Sequence, residues 1–123
     1  MYLSKKEGSK IALRLKKIDE KVIDKWLTAI GKFSKDVKLL LGDRLESLYA
    51  TEDPEIGVRD YNVVVVVKEP LDEELIDKIY EISAEACEEA GSEYAIVPKI
   101  VVKNTMEAEE YVRILEKIGG KIL

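Results

Sequence analysis

Five consecutive valines, Val63 to Val67, constrain this chain more than any other feature. β-Branched side chains are stiff at χ1 and pack well on a pleated surface. Successive residues of a strand point to opposite faces, so an unbroken apolar run has no face to give to water. Such a strand is covered on both sides, which places it centrally in a sheet with helices packed against it. The strand signal spans Val58 to Lys68, and the other elements must be arranged around it.

Periodicity supplies those elements. Ile11, Leu15, Ile18, Val22 and Trp26 recur at three- to four-residue spacing and predict an amphipathic helix. The alternation of Ile11, Leu13 and Leu15 leaves a short strand as the alternative there. Gly31 is expected to end or bend the helix, and Ser34 to cap a shorter second one through Val37 and Leu41 to Gly42. Leu45 to Thr51 reads as a strand, followed by a turn over Glu52 to Gly57 that contains Pro54. Pro70 and Asp72 open a long helix through Leu75, Ile76, Ile79, Ile82, Ala86 and Ala90, stopped by Gly91. Tyr94 to Lys103 reads as a third strand, with Pro98 favouring a bulge or an edge position. Thr105 offers an N-cap to a last helix carrying Tyr111, Val112, Leu115 and Ile118 and ending at Gly119-Gly120.

The order is therefore helix, helix, strand, strand, helix, strand, helix. A short loop permits an antiparallel first pair of strands. The helix between the second and third is long enough for a crossover, so that pair should be parallel with the usual right-handed connection. The expectation is an α+β fold: a small mixed β-sheet with helices packed against it, preceded by an N-terminal helical segment. Residues 1–123 read as a single domain, with 1–34 as the helical extension and 36–118 as the core.

Charge and composition exclude several functions. Charged residues make up 37% of the chain, well above the usual quarter, and are mainly Lys and Glu. With no histidine and no glutamine, that bias fits the surface ion-pair networks of a thermophile. A formal charge of −5 gives no basic excess to displace counterions, so strong nucleic-acid binding is not expected. Lys5, Lys6, Lys10, Arg14, Lys16, Lys17, Lys21 and Lys25 make the N-terminal third locally basic, and Asp72 to Glu93 is acidic; both read as solvated helix faces. Cys87 stands alone, so neither a disulfide nor a cysteine metal site forms within one chain. Without histidine there is no Ser/His/Asp arrangement, and no Gly-rich phosphate loop of the Walker or dinucleotide type occurs. No signal peptide or membrane span is visible, and a cytoplasmic protein is expected.

The chemistry-bearing residues gather where the first two strands meet. Thr51 ends one strand; Arg59, Asp60 and Asn62 begin the next. On a strand, Asp60 and Asn62 would project together, near the Thr51 hydroxyl. A hydroxyl, a carboxylate and a third oxygen donor suit a hard cation carrying a nucleotide phosphate. The same residues also read as an ordinary corner, in which polar side chains bond nearby backbone. Arg59 then pairs on the surface with Glu52, Asp53 or Glu55.

Residues from about Asp36 to Val102 resemble the minimal nucleotidyltransferase domain of the DNA polymerase β-like superfamily. The match runs through Leu41-Gly42, the strand Leu48-Tyr49-Ala50-Thr51, a Pro/Gly loop, and Val58-Arg59-Asp60-Tyr61-Asn62-Val63-Val64; Val97-Pro98-Lys99-Ile100-Val101-Val102 and the acidic helix after Thr105 also look like the end of such a domain. In that family the first strand ends in Gly-Ser, which holds nucleotide phosphates. The second begins Asp-x-Asp, and a third carboxylate often comes from the third strand. The carboxylates hold two magnesium ions for in-line displacement. The resemblance implies a nucleotidyltransferase-like fold and a nucleotide site at Ala50, Thr51 and Arg59. It makes Asp60 a metal ligand and Asn62 its degenerate companion.

This chain departs from the pattern at several points. Ala50 stands where the family has glycine, placing a Cβ where backbone must approach phosphate. Thr51 replaces serine, and Glu52 stands where a basic residue is usual. Asn62 replaces the second carboxylate, and Lys99 occupies roughly the position of the third. Asp60 is the one charged ligand left, enough to help hold one Mg²⁺ weakly through a nucleotide but not to build a two-metal site. The leading expectation is a degenerate, catalytically impaired protein that binds a nucleoside triphosphate or a protein partner. The alternatives are an active metal-dependent nucleotidyltransferase and a purely structural or interaction domain. The family's pairing with small helical proteins allows such a partner here, and the structural or interaction reading allows a homodimer.

Overall fold

The computed structural model describes residues 20–55 and 60–123. Helix α1 is Glu20–Leu41, followed by a 3-10 turn at Gly42–Arg44 and strand β1, Leu45–Thr51. Strand β2 is Val63–Val67, α2 is Glu73–Ala90, β3 is Pro98–Val102, α3 is Met106–Ile118 and β4 is Gly119–Lys121. The sheet order is β3-β2-β1-β4. β1 is antiparallel to both β2 and β4, and β2 is parallel to β3 across the α2 crossover. The architecture is α+β with a four-stranded mixed sheet.

All five valines of β2 are buried, at 4% exposure or less, because the strand lies between two others and under helices on both faces. Val63, Val65 and Val67 join Leu48 and Ala50 against Trp26, Ala29, Ile30, Phe33, Val37 and Leu41 of α1 and Ile79 and Ala86 of α2. Val64 and Val66 join Tyr49 and Val101 against Ala108, Tyr111 and Leu115 of α3. Each fully buried valine contributes about 1.5–3 kcal/mol before chain entropy is counted. A bulge at Glu46, where Leu45 pairs with Val67 but Ser47 with Val66, turns Leu45 toward the α1/α2 face.

Helix ends follow the sequence closely. Asp72 accepts the Leu75 N–H at 2.9 Å, and Gly91 closes α2 in the left-handed region at φ 67°. The Thr105 hydroxyl accepts the Ala108 N–H at 3.1 Å to start α3.

Four expectations need correction. Gly31 neither ends nor bends a helix: α1 is continuous, and Ser34 is no N-cap but donates its hydroxyl to the Ile30 carbonyl at 2.7 Å. The apolar stripe from Trp26 to Leu41 docks as one unit, which outweighs the roughly 1 kcal/mol that glycine costs inside a helix. α1 runs unbroken through residues 34–36, and its buried residues begin at Trp26. The second strand is Val63–Val67, with Asp60 in a turn before it; residues 58 and 59, where it was expected to begin, lie outside the described residues. Tyr94 to Val97 is irregular, so the third strand starts at Pro98, which sits on an edge strand as a residue lacking an N–H should. A fourth strand follows α3 directly, where only a helix stop was expected. The helix and strand readings over Ile11 to Ile18 lie outside the described residues.

Candidate functional site

β1 and β2 deliver their ends to one corner. Thr51 is 1% exposed and Ala50 3%. Both backbone groups of Thr51 are committed: its N–H donates to the Asn62 carbonyl at 3.1 Å, and its carbonyl accepts the Trp26 indole N–H at 2.9 Å. The Thr51 hydroxyl is buried with no hydrogen-bond partner among the described residues. A phosphate group would need these donors free and open to solvent; the N–H is taken and the hydroxyl is buried.

Gly119 of β4 closes the same corner from the other side. An ideal Cβ there would stand 2.2 Å from the Ala50 carbonyl oxygen and 2.8 Å from the Thr51 Cα. Only glycine permits that approach. Close backbone contact at this strand end thus exists, but the backbone that approaches is the protein's own.

Asn62, just before β2, is wired to the end of β1 and to the segment before β3. Its side-chain amide donates to the Ala95 carbonyl at 2.8 Å, and its side-chain oxygen accepts the Val97 N–H at 2.8 Å. Its main-chain N–H donates to the Val97 carbonyl at 3.1 Å, while its carbonyl accepts from Thr51. The residue is 8% exposed. A carboxamide suits this place because it offers a donor and an acceptor together. A carboxylate would keep the Val97 bond and lose the one to Ala95.

Asp60 does not share a strand face with Asn62. It is exposed, in a turn, with φ at 73°. Aspartate tolerates that left-handed conformation better than most residues, which accounts for its presence without a ligand. Arg59 lies outside the described residues. Lys99 is held internally: its ammonium is 3.5 Å from the Glu107 carboxylate and 5.4 and 5.7 Å from the Tyr61 and Tyr111 ring centroids. Those rings meet edge to face at 6.0 Å. Lys99 therefore stands in a cation–π cluster against α3.

The rim of the corner is acidic. The Tyr94 hydroxyl donates to Glu55 at 2.7 Å, which latches the loop after β1 to the loop before β3. That bond is the main reason the Tyr94 phenol is raised above its ordinary range; partial desolvation and the charges of Glu55, Glu93 and Asp53 add to it. Glu55, Glu93 and Asp53 thus place negative charge around this phenol. The donor set does not fit a magnesium pair: Asp60 is a lone exposed carboxylate, Asn62 is engaged at both ends, and Thr51 is sealed. No group of three acidic or cysteine side chains gathers as a metal cluster among the described residues.

Two surface depressions flank α3. One, of about 190 Å³, is lined by Ser47, Tyr49, Val66, Lys103, Ala108 and Val112 among others, and one lies over Glu109, Val112, Arg113, Glu116 and Lys117. Neither includes Ala50, Thr51, Asp60 or Asn62. Trp26, Tyr94 and Gly119 are the corner residues that sequence reasoning missed. The buried indole N–H of Trp26 needed a partner somewhere, but nothing local named Thr51. No described helix is long and apolar enough to cross a membrane. Comparison with protein-family models, with curated proteins and with solved structures finds no match to this chain.

Proposed function

We propose that this chain is a degenerate, catalytically impaired nucleotidyltransferase-like protein whose role is to bind a protein partner rather than a nucleotide. The observation that carries the reading is Asn62: its carboxamide joins β2 to the segment before β3, in the place where the resembling family carries a metal-binding carboxylate. The acidic rim and the covered Ala50-Thr51 corner support the same reading, since each removes something that phosphate binding requires. The order of strands and helices is compatible with the fold that the resemblance implies.

Losing metal-bridging carboxylates raises the barrier to phosphoryl transfer by several kcal/mol, and each 1.36 kcal/mol is tenfold in rate. The expected outcome is no transfer of radiolabel from any of the four ribonucleoside triphosphates to the protein or to an added acceptor, with Mg²⁺ or Mn²⁺. Incorporation that disappears in Asp60→Ala would overturn the reading.

A further inference from the structure

We propose that β4 is a displaceable strap over the edge of β1, and that β1 accepts an extended strand from a protein partner when the strap lifts. The partner rests on the reading above; the geometry rests on β1 and β4 alone.

The two edges of β1 are held very differently. Toward β2 it pairs over Leu45 to Ala50, against valines that are all buried. Toward β4 it pairs through Tyr49, Ala50 and Thr51 with Lys121, Gly120 and Gly119. Two of those three partners have no side chain, and Lys121 is exposed. The pairing continues through three bonds to Leu48: the Ile122 and Leu123 N–H groups donate to its carbonyl at 2.7 and 3.3 Å, and its own N–H donates to the Leu123 carbonyl at 3.1 Å. Ile122 is 43% exposed, so Leu123, partly buried against the α1/α2 cluster, is the main side-chain anchor.

An element with few buried apolar contacts opens before the rest of the molecule. Lifting β4 would bare the β1 backbone at Leu48 while β2 and the helices stay packed. An uncovered edge of that kind is a template for strand addition. The opposite edge of the sheet is less receptive: Pro98 has no N–H, and the Val102 carbonyl already accepts the Thr105 hydroxyl at 2.6 Å. The seat also specifies its occupant. It needs a glycine opposite Thr51, where a Cβ would strike the Ala50 carbonyl, and an aliphatic residue four positions later to replace Leu123.

The test is amide hydrogen exchange followed by NMR on the full chain. The Leu48 amide should exchange about 100-fold faster than that of Val65, because only the first opens with the strap. In Gly119→Ala, which cannot seat β4, Leu48 should lose protection while Val65 keeps it. A synthetic peptide of residues 117–123 in excess should then restore protection at Leu48. The proposal is overturned if Leu48 exchanges as slowly as Val65, if Gly119→Ala deprotects both together, or if the peptide restores nothing. Each of these failures leaves the label-transfer result untouched, so the strap and the impaired site are judged separately.

Discussion

At Asn62, one carboxamide does work that two separate groups would otherwise share. The sequence shows only that an amide stands where a second acid is expected. It gives no sign that Ala95 and Val97, more than thirty residues on, supply the partners. A lost ligand and a gained structural bond look alike in one dimension. Asn62→Asp separates them. Removing the donor to Ala95 and pressing a carboxylate against its carbonyl should cost about 1–3 kcal/mol of stability near neutral pH. The sign with pH follows from the cause. That contact raises the folded-state pKa of the introduced acid, so the penalty is full above the folded value and shrinks as pH falls and the protonated acid donates again. Urea unfolding of variant and wild type at pH 7 and at about pH 4 should show the gap narrowing. A variant as stable as wild type at pH 7, and stabilised by Mn²⁺, would mean that Asn62 is a displaced metal ligand.

Strands and helices were unequally legible. The valine run announced a central strand because no solvent face remained to it, and the caps at Asp72, Gly91 and Thr105 were readable because their chemistry is local. Val65→Asp buries an unpaired carboxylate and should cost about 3 kcal/mol or more, while Lys68→Asp, past the buried run, should stay within about 0.5 kcal/mol. Equal melting temperatures would contradict the placement of β2. Gly31 misled because glycine is a frequent helix stop, and only the docked stripe on either side shows that it is not one here. It is exposed, and a Cβ there would meet nothing within 4 Å. Gly31→Ala should therefore stabilise the chain by about 0.5–1 kcal/mol, read as a higher urea midpoint. Loss of stability would mean that α1 is broken there after all. β4 was not legible in the sequence, since Gly-Gly-Lys carries no strand pattern and its pairing exists only because α3 returns it to β1.

At the scale of the molecule, the sheet is layered between α1 and α2 on one face and α3 on the other, and the corner that would hold a nucleotide is built into that packing. Trp26 reaches it from α1, Gly119 from the end of α3, and Asn62 ties it to the start of β3. The resemblance drew attention to this corner from residue types alone. What it could not convey is direction, because whether a donor faces a ligand or a neighbouring strand is decided by segments far away in the chain. The most direct test is the thermal melting of the full chain with millimolar ATP and Mg²⁺ or Mn²⁺. A ligand that binds only the folded state raises the midpoint by mass action. The expected result is a melting temperature unchanged by either metal with ATP. A rise of several degrees that is lost in Asp60→Ala would show that the corner still holds a nucleotide, and would contradict the account.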